Sequence, residues 1–195
     1  MHEKRPAEKQ SIIFSSMSSA QLLNPDKIHI QSINKTINLT SFTCAEPELN
    51  DFLKTDALND HENLYSITRL ICYENNIIGF FTLIADNISV KTIPENEYSD
   101  YHYNKLPAVK IARLAVDKNY EHKGIGTLII TEILSVVNLI SDNIGCRIIT
   151  VDAKENALGF YKKFTFREVL SKKNQDYIPM YLDFLNLKKK AVEKE

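Results

Sequence analysis

The eight residues Tyr120-Glu121-His122-Lys123-Gly124-Ile125-Gly126-Thr127 place two glycines, a lysine and a histidine directly before a long apolar, periodic segment. Backbone N–H groups converge at such a turn, and the macrodipole of a following helix adds partial positive charge, so the turn suits a phosphate or pyrophosphate. The glycines let an anion approach the backbone, Lys123 can add charge, and His122 lies inside the same turn. A G-x-G pair is equally the mark of a tight turn that eases a helix start, and by itself it leaves both readings open. Other chemistry is sparse. Cys44, Cys72 and Cys146 are odd in number, far apart and without metal-ligand or redox spacing, so they read as buried small side chains. The remaining four histidines are scattered, and no metal site is expected.

Several elements must position the turn. Residues 109–116 are rich in β-branched and apolar types and read as a strand running into it. After Gly124 and Gly126, the apolar positions Leu128, Ile129, Ile133, Val136, Val137 and Ile140 recur as in a helix. Upstream, residues 28–33 alternate as a half-buried strand. Pro47 then suits the first turn of a helix carrying Leu49, Phe52, Leu53 and Ala57 on one face. Residues 67–73 and 77–85 read as a hairpin whose tight turn falls at Asn75-Asn76. Residues 86–107 remain as a long connection with Tyr98, Tyr101, His102 and Tyr103, a candidate acceptor-side, mobile loop. Downstream come a strand at 147–151, a helix with Ala157, Phe160, Tyr161 and Phe164 on one face, and closing strands at about 166–170 and 178–184. The order implies one mixed α/β domain over 28–185, with a loose extension at 1–27 and a charged tail at 186–195.

Composition bounds the function further. With 195 residues, 44% hydrophobic and 25% charged, one ordinary globular core is expected. The cluster Ile12-Ile13-Phe14 is too short for a signal-peptide core and no run reads as a membrane span, so a cytoplasmic location is expected, with no membrane partner. A net charge of -1 gives no overall attraction to polyanions, and a nucleic-acid partner would need a local basic patch.

Four segments in order carry a resemblance: Ile111-Ala112-Arg113-Leu114-Ala115-Val116-Asp117, Lys123-Gly124-Ile125-Gly126-Thr127, Val151-Asp152-Ala153-Lys154 and Phe160-Tyr161-Lys162-Lys163-Phe164-Thr165-Phe166. Together they resemble the GNAT superfamily of acetyl-CoA-dependent N-acetyltransferases over about residues 28–185. The resemblance implies a mixed, mostly antiparallel twisted sheet of about six to seven strands, flanked by helices and splayed at its central strands to admit CoA. It implies that the backbones of Leu114, Ala115 and Val116 pair with the pantetheine arm, with the Val116 N–H polarising the acetyl carbonyl. His122, Lys123, Gly124, Ile125, Gly126 and Thr127 then meet the pyrophosphate, Asn156 contacts CoA, and Tyr161 protonates the departing thiolate. From periodicity alone Tyr161 is a helix-face tyrosine, and Asn156 reads equally well as a helix cap. The family loop usually opens with Gln or Arg where Glu121 stands, a departure that leaves the backbone amides untouched. Direct transfer in a ternary complex is implied, since no Ser-His-Asp or Cys-His arrangement emerges from spacing.

A narrower likeness lies in Phe42-Thr43-Cys44-Ala45-Glu46-Pro47-Glu48-Leu49-Asn50-Asp51-Phe52-Leu53, Thr68-Arg69-Leu70 and Gly79-Phe80-Phe81-Thr82-Leu83, which resemble the acetyltransferase toxins of toxin-antitoxin pairs. That likeness implies an aminoacyl-tRNA as amine acceptor and an antitoxin protein as partner, and it leaves a homodimer open. Arg113, Lys110 and Lys105 are too few to form a tRNA-binding patch. An acetyltransferase of a small-molecule or protein amine, and a non-catalytic acyl-CoA-binding sensor, therefore stay in view.

Overall fold

The computed structural model describes residues 23–94, 98, 101–170 and 176–192. Seven strands form one sheet: β1 (Ile28–Ser32), β2 (Ile67–Tyr73), β3 (Asn76–Ser89), β4 (Lys105–Val116), β5 (Ile148–Ala153), β6 (Arg167–Glu168) and β7 (Ile178–Asp183). Their order is β1-β2-β3-β4-β5-β7-β6, antiparallel at every neighbour except the parallel pair β4 and β5. A parallel pair needs a crossover, and the helix α3 (Ile125–Asn143) supplies it. One face of α3, with Ile125, Ile129, Ile133 and Val137, packs on Ile78, Phe81, Val109 and Ile111 of the sheet. The opposite sheet face is covered by α1 (Pro47–Thr55) and α2 (Ala57–Glu62), which bury Phe52, Leu53 and Ala57 against Leu70, Phe80 and Ala115. Helices α4 (Leu158–Lys163) and α5 (Phe184–Val192) complete the α3 side.

Several expectations need correction. The hairpin between β2 and β3 pairs Tyr73 with Asn76, so its turn is Glu74-Asn75, and the left-handed residue is Glu74 (φ 53°). The connection expected over 86–107 is much shorter. Ile88 and Leu106 have apolar surface to bury, so β3 and β4 pair as far as Ser89 and Lys105 and leave only 90–104 as the link. Of that link, 95–97 and 99–100 lie outside the described residues. Its Tyr98 is buried, and the hydroxyl donates to Asp183 Oδ2 at 2.6 Å.

Contrary to the absence of any span-like run, α3 has the length and apolar composition to cross a membrane. Its Ile-rich stripe lies on the sheet as a core helix does. The charged segment expected as a tail from 186 is helical to 192, because Phe184 and Leu187 pack against the α3-side core. Of the expected extension, residues 1–22 fall outside the described residues. Leu23 packs on the core, and Asn24 caps the turn Pro25–Lys27 by accepting the Asp26 N–H at 3.0 Å.

Candidate active site

β4 and β5 separate part-way along. Their pairing runs only from Ala108 with Ile148 to Ile111 with Val151. At the same place the partnership with β3 shifts: Leu83 faces Ile111 and Thr82 faces Arg113, leaving Ala112 as an extra residue, a β-bulge. The bulge turns the pleat over. Val109 and Ile111 before it, and Leu114 and Val116 after it, all pack towards α3, while Ala115 faces α1. Residues 113–116 thus remain paired with β3 but lack a strand partner on the β5 side. Backbone groups on such an edge need water or a ligand, and an extended amide-bearing chain can pair there as an added strand does. Leu114, Ala115 and Val116 lie on this edge.

Immediately beyond, buried Asp117 fixes the phosphate turn. Its Oδ2 accepts the Thr43 N–H at 2.9 Å, its Oδ1 accepts the Asn119 N–H at 2.9 Å, and its own N–H donates to Ile78 O at 3.0 Å. His122 (φ 59°) and Gly124 (φ 82°) are left-handed, which curls the backbone into a concavity at the start of α3. Gly124 occupies the N-cap and no side chain caps the helix, so the amides of residues 125–127 stay available to an anion. Gly126 is needed for packing as well, because a Cβ there would lie 2.9 Å from the Phe160 ring. Lys123 Nζ sits 5.2 Å above the Tyr120 ring, and His122 is exposed at the turn's tip.

Phe160 brings α4, and with it Tyr161, against the turn. The helix ends in a Schellman motif: Phe166 N–H donates to Tyr161 O at 3.3 Å and Thr165 N–H to Lys162 O at 3.0 Å, with Thr165 left-handed at φ 66°. The apolar contact of that motif is the Tyr161 ring against Phe166, 5.5 Å between centroids, and Phe160 packs edge-on to Tyr161 at 5.1 Å. Tyr161 is 6% exposed, and burial alone pushes its phenol well above the ordinary range. Its hydroxyl makes no hydrogen bond among the described residues. Among the described residues the fully buried side-chain polar atoms without partners are Ser66 Oγ and Arg147 Nε, and the Tyr161 oxygen is not one of them. A phenol of this kind stays protonated at neutral pH and can serve as a proton donor. Asn156 is exposed in the turn Glu155–Ala157 and caps neither that turn nor α4, so its amide remains open to a ligand. Lys162 is tied to Glu168 at 2.7 Å, whereas Lys163 is exposed.

Motif reading passed over one part of the site. Residues 43–48 form a strap from the end of β4 to the end of β5. At one end Lys118 N–H donates to Thr43 O at 2.9 Å beside the Asp117 bond. At the other, Lys154 Nζ bonds Glu46 Oε2 at 2.6 Å and Glu48 Oε1 at 2.8 Å. The Tyr177 hydroxyl adds bonds to Glu48 at 3.1 and 3.3 Å. Hydrogen bonding to these carboxylates holds the Lys154 ammonium above its usual range, and Lys154 holds Glu48 below the usual carboxylate range. The strap's shape is internal: Asn50 Oδ1 accepts the Cys44 N–H at 2.8 Å, and its Nδ2 donates to Cys44 O and Glu46 O. A proline preceded and followed by glutamate looks from sequence like an ordinary helix start. Only the long-range pairing with Lys154 shows its second use.

Comparison decides the family. A family model described as the acetyltransferase (GNAT) domain matches residues 46–182. The chain belongs to that family. It is an acyl-CoA-dependent N-acetyltransferase with acetyl-CoA as acetyl donor. The chain is 28% identical over 135 residues to a tRNA-acetylating toxin of Mycobacterium tuberculosis, which spans 69% of this chain and 81% of the relative. The structure of AtaT complexed with acetyl-methionyl-tRNA superposes with a TM-score of 0.76 at 23% identity, covering 83% of this chain and 98% of that one. An AtaT variant bound to the C-terminus of the antitoxin AtaR and acetyl-CoA gives 0.68 at 22% identity, covering 83% and 96%. At these identities the structures establish the fold. The match takes in the second half of the strap, from Glu46, and ends before α5.

Proposed function

We propose that this enzyme transfers the acetyl group of acetyl-CoA to the α-amine of an aminoacyl-tRNA, and that an antitoxin protein restrains it. The observation that carries the reaction is the coincidence of an unpaired β4 edge, an uncapped helix start and a protonated, buried phenol around one opening between β4 and β5. CoA supplies an activated thioester. In our assignment the backbones of Leu114, Ala115 and Val116 hold the pantetheine amides, and the Val116 N–H polarises the acetyl carbonyl. The amides of Lys123, Gly124, Ile125, Gly126 and Thr127 receive the pyrophosphate, with His122 beside them and Asn156 contacting the cofactor. As the amine forms its bond to the carbonyl carbon, the C–S bond breaks and Tyr161 gives its proton to the leaving sulfur.

The acceptor assignment is supported by the curated relative's name and by a basic surface that the linear sequence hides. Lys162, Arg167 and Lys190 line one groove between α4, β6 and α5, where Glu168 and Asp183 also lie, and residues 162–190 of the sequence hold eight Lys or Arg against three Asp or Glu. That local excess offers a polyanion more than an overall charge of -1 does. Lys110, in β4, is paired with Asp152, and Arg113 stacks 4.6 Å over Phe52. A small-molecule or protein amine is the competing acceptor, favoured by the balanced overall charge. Location in the cytoplasm, where aminoacyl-tRNA is found, belongs to the same proposal.

The test is translation in vitro with purified enzyme and acetyl-CoA, followed by mass analysis of recovered tRNA. Acetylated aminoacyl-tRNA with arrested synthesis is the expected result. Uninhibited translation, together with acetylation of small amines, would replace the acceptor. Absence of turnover with any amine would leave an acyl-CoA-binding sensor.

A further inference from the structure

The strap crosses the opening on the α1 side of the sheet, whereas the phosphate turn and Tyr161 lie on the α3 and α4 side. An amine that meets the thioester from the face away from the cofactor therefore arrives beside Glu46, Glu48 and Lys154. The two carboxylates are not equivalent. Both oxygens of Glu48 are engaged, Oε1 by Lys154 and Tyr177 and Oε2 by Tyr177. Glu46 uses only Oε2, towards Lys154. Although Glu46 occupies the N-cap of α1, its side chain makes no capping bond, and Asn50 does the local bonding in its place. Among the described residues Glu46 Oε1 has no partner, on a half-buried side chain that Lys154 holds in position.

Resting on the acetyltransferase reading above, we propose that Glu46 is the proton acceptor for the attacking amine, and that Glu48 and Lys154 position it. The acceptor's ammonium gives one proton to Glu46 Oε1, the freed lone pair forms the N–C bond, and the C–S bond breaks. The second proton shed by nitrogen leaves to solvent, and the thiolate takes the Tyr161 proton. The charged and titratable groups that face Glu46 and its neighbours come from several elements: Lys154 after β5 and Cys44 in the strap act on Glu46 itself, Glu48 in α1 shares Lys154 with it, Tyr177 before β7 and Arg113 in β4 act on Glu48, and Glu121 in the glycine turn acts on Cys44.

The experiment measures kcat and KM against pH for wild type, Glu46→Gln, Glu46→Asp and Glu48→Gln, using methionyl-tRNA and one simple primary amine as acceptors, with acetyl-CoA affinity and Tm as controls. Glu46→Gln should lower kcat/KM about 10²-fold or more at pH values where the acceptor is an ammonium, and approach wild type as rising pH deprotonates the amine unaided. Glu46→Asp should restore part of the rate and of the wild-type profile, and Glu48→Gln should act mainly on KM. A Glu46→Gln profile parallel to wild type, at any level, overturns the assignment. If Glu46→Gln does not fold, Glu46→Ala carries the same test, and a folded Glu46→Ala enzyme with a profile parallel to wild type overturns the assignment. If methionyl-tRNA is inert while the simple amine reacts, the tRNA reading fails and the Glu46 comparison still runs on that amine. A wild-type enzyme inert towards both overturns the functional reading and this assignment together.

Discussion

At Tyr161 an observed packing role meets the chemical role proposed above. Its ring fills the Schellman contact with Phe166 and the edge-on contact with Phe160, while its hydroxyl stays unbonded. Phenylalanine keeps the first role and removes the second. Tyr161→Phe should bind acetyl-CoA nearly as wild type while its single-turnover rate falls by about 10-fold or more, because a positioned acid contributes about 10²- to 10⁴-fold. Alanine at the same site should instead cost about 3–5 kcal/mol of stability through the lost ring. Parallel stopped-flow and thermal-melt measurements separate the two, and full single-turnover activity in folded Tyr161→Phe would leave water as the proton source. Periodicity made the ring's packing legible in the sequence, while the proposed acid role comes from the family resemblance. The support of that ring was not legible, since the left-handed C′ residue is Thr165, where glycine is the usual marker. Asp117 was hidden too, because its partners at Thr43 and Ile78 are distant in sequence.

At the scale of elements, the strand, Gly-rich turn and helix were readable because apolar periodicity and glycine carry them locally. The opening between β4 and β5 was expected only through the family resemblance and not from local pattern. The Ala112 bulge has no glycine to announce it, and it becomes visible only in the shifted register with β3. Strand ends at Ser89 and Lys105 were missed for a related reason: a hairpin arm is extended by cross-strand partners that no local window contains. The same logic gives Gly126 two duties that one substitution confuses. Gly126→Val should destabilise the protein by about 1–3 kcal/mol through collision with Phe160, and also keep a phosphate from the backbone. Adding Phe160→Leu should return most of the stability, read by denaturant unfolding, but not the acetyl-CoA affinity, read by calorimetry. Recovery of both in the double variant would assign Gly126 to packing alone and move the pyrophosphate elsewhere.

Across the whole molecule, the two ends of the sheet divide the labour. The ends of β4 and β5 at Val116 and Ala153 carry the strap, the phosphate turn and the approach to Tyr161. The opposite end is closed by a staple in which Asp183 Oδ2 accepts from Tyr98 at 2.6 Å and from Arg147 at 2.9 Å, while the Asn186 N–H donates to Oδ1 at 3.0 Å. Through these bonds the 90–104 link, at Tyr98, and α5 are fastened to β5 and β7. Burial would raise the Asp183 carboxyl, but the Tyr98, Asn186 and Arg147 hydrogen bonds outweigh it and hold the group below its ordinary value. A carboxyl depressed in the folded state contributes stability that is fully present above the unfolded value, about 3.9, and is lost as pH falls through the folded value. Asp183→Asn should therefore lose about 3–5 kcal/mol at neutral pH, towards the lower end because Arg147 is partly exposed. Melts from about pH 7 to 2 should show the gap to wild type narrowing only below about pH 4, where wild type loses the same charge. Acetyl-CoA affinity of the folded variant should be unchanged, since the staple and the phosphate turn lie at opposite ends of the sheet. A constant gap across that range would mean that Asp183 acts through hydrogen-bond geometry alone, with its charge adding nothing to the staple.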